Sequence, residues 1–349
     1  MRTIPPLASP RKMAKGMVSP VHGLPYKVIL RIMEMLEDDL QVVSRLMRTS
    51  RFLRTAVVLH LQVKVHNVLR RLGVGDPKML VWSLDRWQAL LSGPDFLDVL
   101  LTGSVPVTKF TSRLEIHIPL DVGYLDKVVE AIENFGFKVT REWTDRQSVR
   151  MNGQLWLDYE ALDVVTSKVV QLKNKDFQYA YIIMGRSITT SFLSILAQPT
   201  TAFMNAISSN TIHVLYPRLT NARRGIINTR KPAKAVPGIL QYFQHTIDVK
   251  TRLSDWKEYA DHHCGQDANC PFKLRDMLDG LSGSFPIVAK PLHFTHPRIP
   301  VIPQLIWRLR CASSCEKMKP LPGQEHGEVG HYIWKGGWIE DIDSAEDDE

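Results

Sequence analysis

Acidic residues are absent from Phe177 to Ile247, although the same stretch carries Arg186, Arg218, Arg223, Arg224, Arg230, Lys231 and Lys234. A surface of one sign attracts nucleic acid, nucleotides or an acidic partner. A solvated face, neutralised by the chain's own acidic end, also explains it. That end reads I-E-D-I-D-S-A-E-D-D-E from Ile339, so the net charge of +8 understates how basic the rest is. Long apolar runs are missing too. No window reaches the roughly 18 uncharged apolar residues that a membrane-spanning helix needs. Basic residues near the start (Arg2, Arg11, Lys12, Lys15) are not followed by the apolar run of a secretory signal. Cysteine is scarce, with Cys264, Cys270, Cys311 and Cys315 all in the last third. That is too few for a secreted disulfide scaffold. The expectation is a cytoplasmic or nuclear protein that does not use a membrane.

What is present suits a larger, two- or three-module chain. Its 349 residues are 44% hydrophobic, enough for substantial cores. Residues 1–20 are basic, proline-containing and aperiodic, and are expected to be disordered. Residues 21–72 read as a helical module, 78–235 as a mixed sheet with helices, 236–325 as a helical and irregular extension, and 326–349 as an acidic tail. The fold class is therefore α+β.

In the first module, Leu24, Val28, Ile32 and Leu36 recur every four residues behind Pro25, which suits a first helical turn. Asp38 or Asp39 can cap a second helix through Leu40, Val43, Leu46 and Met47. Phe52 to Leu72 fits a third helix, and its alternating part, Leu59 to Val65, also fits a strand. Gly73 to Pro77 reads as a linker. Further helices are expected at Met79–Leu91, Phe96–Leu101, Asp121–Phe135, Phe192–Leu196 continued over Thr200–Ile207, Lys250–Tyr259 and Pro271–Leu281. Strands are expected at Leu114–Ile118, Phe137–Val139, Leu155–Leu157 and Asp176–Met184.

The run L-P-Y-K-V-I-L-R-I-M-E-M-L-E-D-D-L, with the later Ser50-Arg51-Phe52, resembles an F-box, with Lys27 where that family usually has an acid. The resemblance implies docking on a Skp1-like adaptor of a cullin ubiquitin ligase. Leu24, Pro25, Val28, Ile32, Leu36 and Leu40 would form the apolar patch that the adaptor buries. A plain amphipathic helix pair opening a domain explains the same residues.

Phe96 to Pro119 runs from an apolar segment through Thr102-Gly103-Ser104 into the alternating strand Leu114-Glu115-Ile116-His117-Ile118. This order resembles the opening of the nucleotidyltransferase fold. In that family the Gly-Ser pair helps hold a triphosphate, and two aspartates at alternate strand positions bind metal ions. Residues two apart on a strand share a face, and a carboxylate pair there can hold two ions about 3.5–4 Å apart. Arg113 and Glu115 stand at those positions, and a cation repels the ion the first should bind. The favoured expectation is a degenerate, non-catalytic core, in which Gly103 and Ser104 bind an anion or simply turn the chain. The alternative is an active magnesium-dependent transferase using Ser104, Glu115 and either Asp163 or Asp176. A third reading is nucleic-acid binding through the basic stretch 218–234. Met204-Asn205 and Tyr216-Pro217-Arg218-Leu219-Thr220 further resemble a set of fungal proteins that carry such a core.

In the last third, D-H-H-C-G-Q-D-A-N-C-P and Cys311-x-x-x-Cys315 gather metal-binding residue types. The spacings depart from the usual close cysteine pairs, so half-buried thiols and no metal are expected. The alternative is a zinc site drawn from His262, Cys264, Cys270, Cys311 and Cys315. Trp307, Leu309, Tyr332, Trp334 and Trp338 are expected to pack the end of the chain back onto the core.

Overall fold

The computed structural model describes residues 28, 31–32, 40–100, 113–144, 165–176, 178–187, 190–228, 247–277, 279–288, 305–309, 311, 332–334 and 337–339. Helix α1 (Leu40–Thr49) lays Val43, Leu46 and Met47 against the core. Ser50 then breaks the helix. Its backbone is extended, and its hydroxyl accepts the Leu53 N–H at 3.1 Å, which caps α2 (Arg51–Arg71). Val57, Leu61, Val65, Val68 and Leu69 of α2 are buried, the stripe of a helix of period 3.6. The segment Leu59 to Val65 is thus helical, because its apolar residues meet the core only at that period.

Asp76 caps α3 (Pro77–Trp87) by accepting the Met79 N–H at 3.0 Å, with Pro77 in the first turn. The sequence predicts this helix as far as Leu91, but it ends at Trp87. Gln88 turns left-handed with φ 50, and Leu90–Ser92 leaves as strand β1. The pairing of β1 with a distant strand outweighs its local helical pattern.

That distant strand, β2 (Arg113–Ile118), lies inside a sheet of eight. The others are β3 (Lys138–Trp143), β4 (Thr166–Lys173), β5 (Tyr179–Gly185), β6 (Asn205–Ile207), β7 (Thr211–Val214) and β11 (Gly283–Pro286). Their order is β11-β7-β6-β1-β2-β5-β4-β3. Only β2 and β5 run parallel, and the remaining neighbours are antiparallel. Helix α4 (Val122–Asn134), capped by Asp121, follows β2. The edge strand β3 is exposed from Lys138 to Glu142 and changes register between Val139 and Arg141, devices that discourage pairing with another chain.

Both faces of the sheet are covered. Leu114, Ile116, Ile118, Leu172 and Ile182 point to a core shared with α2, α3 and α4. Val169, Tyr181 and Ile183 point the other way, into a second core. That core contains α5 (Phe192–Leu196), α6 (Pro217–Asn221) and part of the last third, including Trp256, Leu305 and Trp307. A parallel pair, β8 (Arg224–Ile226) with β9 (Asp248–Lys250), borders it. A small sheet of β10 (Arg275–Asp276), β12 (Leu305–Trp307), β13 (Tyr332–Trp334) and β14 (Gly337–Ile339) completes this layer. Trp307 is buried in the second core, and Tyr332, Trp334 and Trp338 lie on strands of this sheet.

Three helical expectations are corrected. Thr200–Ile207 forms a short 3-10 turn (Thr201–Phe203) and then β6, which pairs with β1 and β7. Lys250–Tyr259 holds the end of β9 and two 3-10 turns, Leu253–Asp255 and Lys257–Tyr259. Pro271–Leu281 makes turns around β10. Strand β4 was not expected, and the strand predicted at Leu155–Leu157 lies outside the described residues. The architecture is mixed helix and sheet, and among the described residues no helix is long and apolar enough to cross a membrane.

Candidate functional site

The alternation of β2 sends Arg113, Glu115 and His117 toward the second core, and all three are buried, at 4%, 1% and 0% exposure. Arg113 Nε donates to Glu115 Oε1 at 3.0 Å. Glu115 Oε2 stands 3.6 Å from His117 Nε2, and neither atom has a hydrogen-bond partner. His117 Nδ1 lies 2.8 Å from Ser194 Oγ, and that hydroxyl donates to the Ser191 carbonyl at 2.9 Å. Nδ1 thus faces the Ser194 hydroxyl and Nε2 faces the carboxylate.

The surroundings hold this row in place. The Arg113 N–H donates to Asp95 Oδ2 at 3.1 Å. Gly93, at φ +110, brings its backbone so close that a Cβ there would lie 2.6 Å from Glu115 Oε1. On β5, the residue opposite Glu115 is Tyr181. Its hydroxyl accepts from Gln171 Nε2 at 2.7 Å, and burial raises its pKa against the opposing effect of that hydrogen bond. The Tyr179 and Tyr181 rings lie 6.3 Å apart in a stacked arrangement.

Of the carboxylates named for transferase chemistry, Glu115 and Asp176 are described, and they are not brought together. Asp176 is exposed in the turn before β5, five positions before the residue opposite Glu115. Asp163, Gly103 and Ser104 lie outside the described residues. Arg113 already supplies positive charge to the carboxylate that a metal would require. The described residues therefore do not fit a two-metal centre.

His117, Asp95, Tyr181 and Ser194 complete the row, and the sequence reading missed them. His117 was within reach, since it continues the alternate positions of Arg113 and Glu115. Ser194 and Tyr181 arrive from elements far along the chain, with no local signal.

The remaining candidates are scattered. Val28 and Ile32 are helical and exposed, at 41% and 39%. Leu40 opens α1, whereas Leu24, Pro25 and Leu36 lie outside the described residues. In the basic stretch, Arg218 is exposed, but Arg224 is paired with Glu258 and stacks over Trp256 at 5.2 Å. Residues 229–246 are not described. Met204 is buried, and Asn205 opens β6 with its Nδ2 donating to the Ala202 carbonyl at 2.7 Å. Tyr216 accepts the Trp307 indole N–H at 3.2 Å, so this motif builds the second core. His262, Cys264 and Cys270 are brought together, with ligand atoms all within 4.8 Å of one another. Cys311 is buried in the same core cluster, and Cys315 lies outside the described residues.

No family model, no curated protein and no solved structure matches the chain.

Proposed function

We propose that the chain is a non-catalytic interaction protein. An F-box-like helical segment docks on a Skp1-like adaptor, and a degenerate nucleotidyltransferase-like core presents a surface to a target. The observation that carries the non-catalytic reading is the buried Arg113–Glu115 pair. A guanidinium occupies the place of a metal ligand and pairs with one oxygen of the neighbouring carboxylate. Magnesium would have to displace a buried cation to enter, and charge of like sign opposes that.

The docking reading rests on the resemblance around Leu24 to Phe52 and on Val28 and Ile32. They are helical, one turn apart, and expose large apolar side chains. Met79 and Trp82 on α3 add exposed apolar surface, at 53% and 67%.

The test is capture of the purified chain by immobilised Skp1 adaptor, beside a Leu24→Ala, Pro25→Ala, Ile32→Ala triple variant. Capture that the variant loses supports the reading. Absence of capture by folded protein removes the adaptor role. Calorimetric titration with magnesium and nucleoside triphosphates should give no heat of binding at a two-metal site, and robust magnesium-dependent binding would overturn the non-catalytic half.

A further inference from the structure

We propose that His262, Cys264 and Cys270 bind a structural zinc ion that fixes the loop 259–273 in the second core. This inference is independent of the docking reading. The two sulfurs are 3.8 Å apart. A tetrahedral ion with Zn–S bonds of about 2.3 Å places its two sulfurs about 3.8 Å from each other, so the thiols already stand at the required edge. A disulfide would need that distance to fall to about 2.05 Å.

The backbone has folded to make this arrangement. Gly265 takes φ +76, which turns its N–H onto Cys270 Sγ at 3.3 Å. An N–H aimed at sulfur stabilises the thiolate form that a metal takes. His262 Nδ1 lies 2.9 Å from the Tyr259 carbonyl. With Nδ1 donating to that carbonyl, the lone pair is on Nε2. This is the second-sphere contact that orients a ligating imidazole. Asn269 ties the loop back through a 3.1 Å hydrogen bond from Nδ2 to the Tyr259 hydroxyl.

Charge supports the same reading. Arg308 arrives from the segment after β12 and lies over the Phe272 ring at 4.2 Å. Its Nε is buried with no hydrogen-bond partner. A zinc ion with two thiolates and one neutral imidazole carries no net charge, and an anionic fourth ligand would give the site one negative charge for Arg308 to balance. Cys311 is buried in the same core, outside the group of ligand atoms that lie within 4.8 Å of one another. Sparse as they are, three of the chain's four cysteines converge on this one core.

The test uses tag-free full-length protein, purified with zinc and then desalted. Elemental analysis should give about one zinc per chain, as a structural site predicts. Exchange into cobalt(II) should produce a thiolate-to-cobalt charge-transfer band. The Cys264→Ser, Cys270→Ser double variant should lose both signals. Should that variant fail to fold, the cobalt spectrum of the wild-type protein decides alone. Folded wild-type protein that retains no zinc and gives no thiolate band would overturn the proposal. So would zinc retained undiminished by the double variant, or a Cys264–Cys270 disulfide in metal-free protein.

Discussion

Replacing Glu115 by leucine should unsettle the chain more than most single changes, because it removes the carboxylate that a buried guanidinium pairs with. Arg113 is only 4% exposed, and its Nε donates to the carboxylate that the substitution removes. Removing one partner of a buried ion pair costs about 3–5 kcal/mol, most of it the desolvation of the charge left behind. Arg113→Met should cost a comparable amount, moderated by His117, which still faces Glu115 at 3.6 Å. The double variant removes both charges and keeps apolar volume. It should therefore return to within about 1 kcal/mol of the parent or exceed it, giving a coupling of about 3 kcal/mol or more. Thermal unfolding followed by tryptophan fluorescence and circular dichroism measures this. Each single variant should lower the midpoint by roughly 4–7 °C, and the double variant by far less. Single losses below about 1 kcal/mol, or losses that simply add in the double variant, would refute the reasoning. The pair would then behave as a solvated one, and Arg113 would no longer account for a closed metal position.

Three further outcomes are expected. His213 is 7% exposed with its ring edge against Phe192, and burial lowers its pKa from about 6.5 to about 4. The folded form thus binds its proton only near pH 4, whereas the unfolded form binds it near 6.5. Stability contributed by the neutral ring is present above pH 6.5 and falls by roughly 3 kcal/mol as pH drops to 4. His213→Phe should flatten that limb in urea melts taken across the range, and an unchanged slope would contradict the assignment. Gly93→Ala should cost about 2 kcal/mol or more, since alanine resists φ +110 and its Cβ would meet Glu115 Oε1. Equilibrium denaturation reads this, and a neutral result would mean that the β1 turn relaxes freely. Arg275→Lys should destabilise by about 2–4 kcal/mol, because a point charge cannot repeat the guanidinium's four contacts to Asp279, the Ala268 and Leu215 carbonyls and Ser282. For Asp279, burial acts to raise the pKa, but Arg275 and backbone donors outweigh it, so its contribution should be lost only as pH falls below the carboxylate range.

The parts of the fold visible in the sequence were those that carry their own periodicity. Helix α2 shows its stripe from Val57 to Leu69, and α4 is announced by Asp121 at its cap. Strand β2 shows strict alternation. The parts that escaped depend on partners elsewhere. Thr200 to Ile207 presents apolar residues at helical spacing, yet Ile207 pairs with Leu91, more than a hundred positions earlier. The turn at Ser208 to Asn210 then closes a hairpin. A long-range ladder of this kind overrides local preference and leaves no local trace. The candidate site divides in the same way. Arg113 and Glu115 are readable as neighbours on a strand face, and the cysteine loop as a cluster of ligand types. Ser194, Tyr181 and Arg308 enter only through tertiary structure.

The outermost position of β11 has a consequence for how the chain is made. Strand β11 hydrogen-bonds to β7 from Gly283 to Pro286, long after Thr211 to Val214 have left the ribosome. At about 5–20 residues per second, the nascent sheet waits roughly 4–14 s with the β7 edge unpaired. An open edge of this kind recruits any extended strand nearby. A message cut short between the codons for Val214 and Gly283 would yield a product whose adhesive margin is permanent, and its expected fate is capture by chaperones or precipitation.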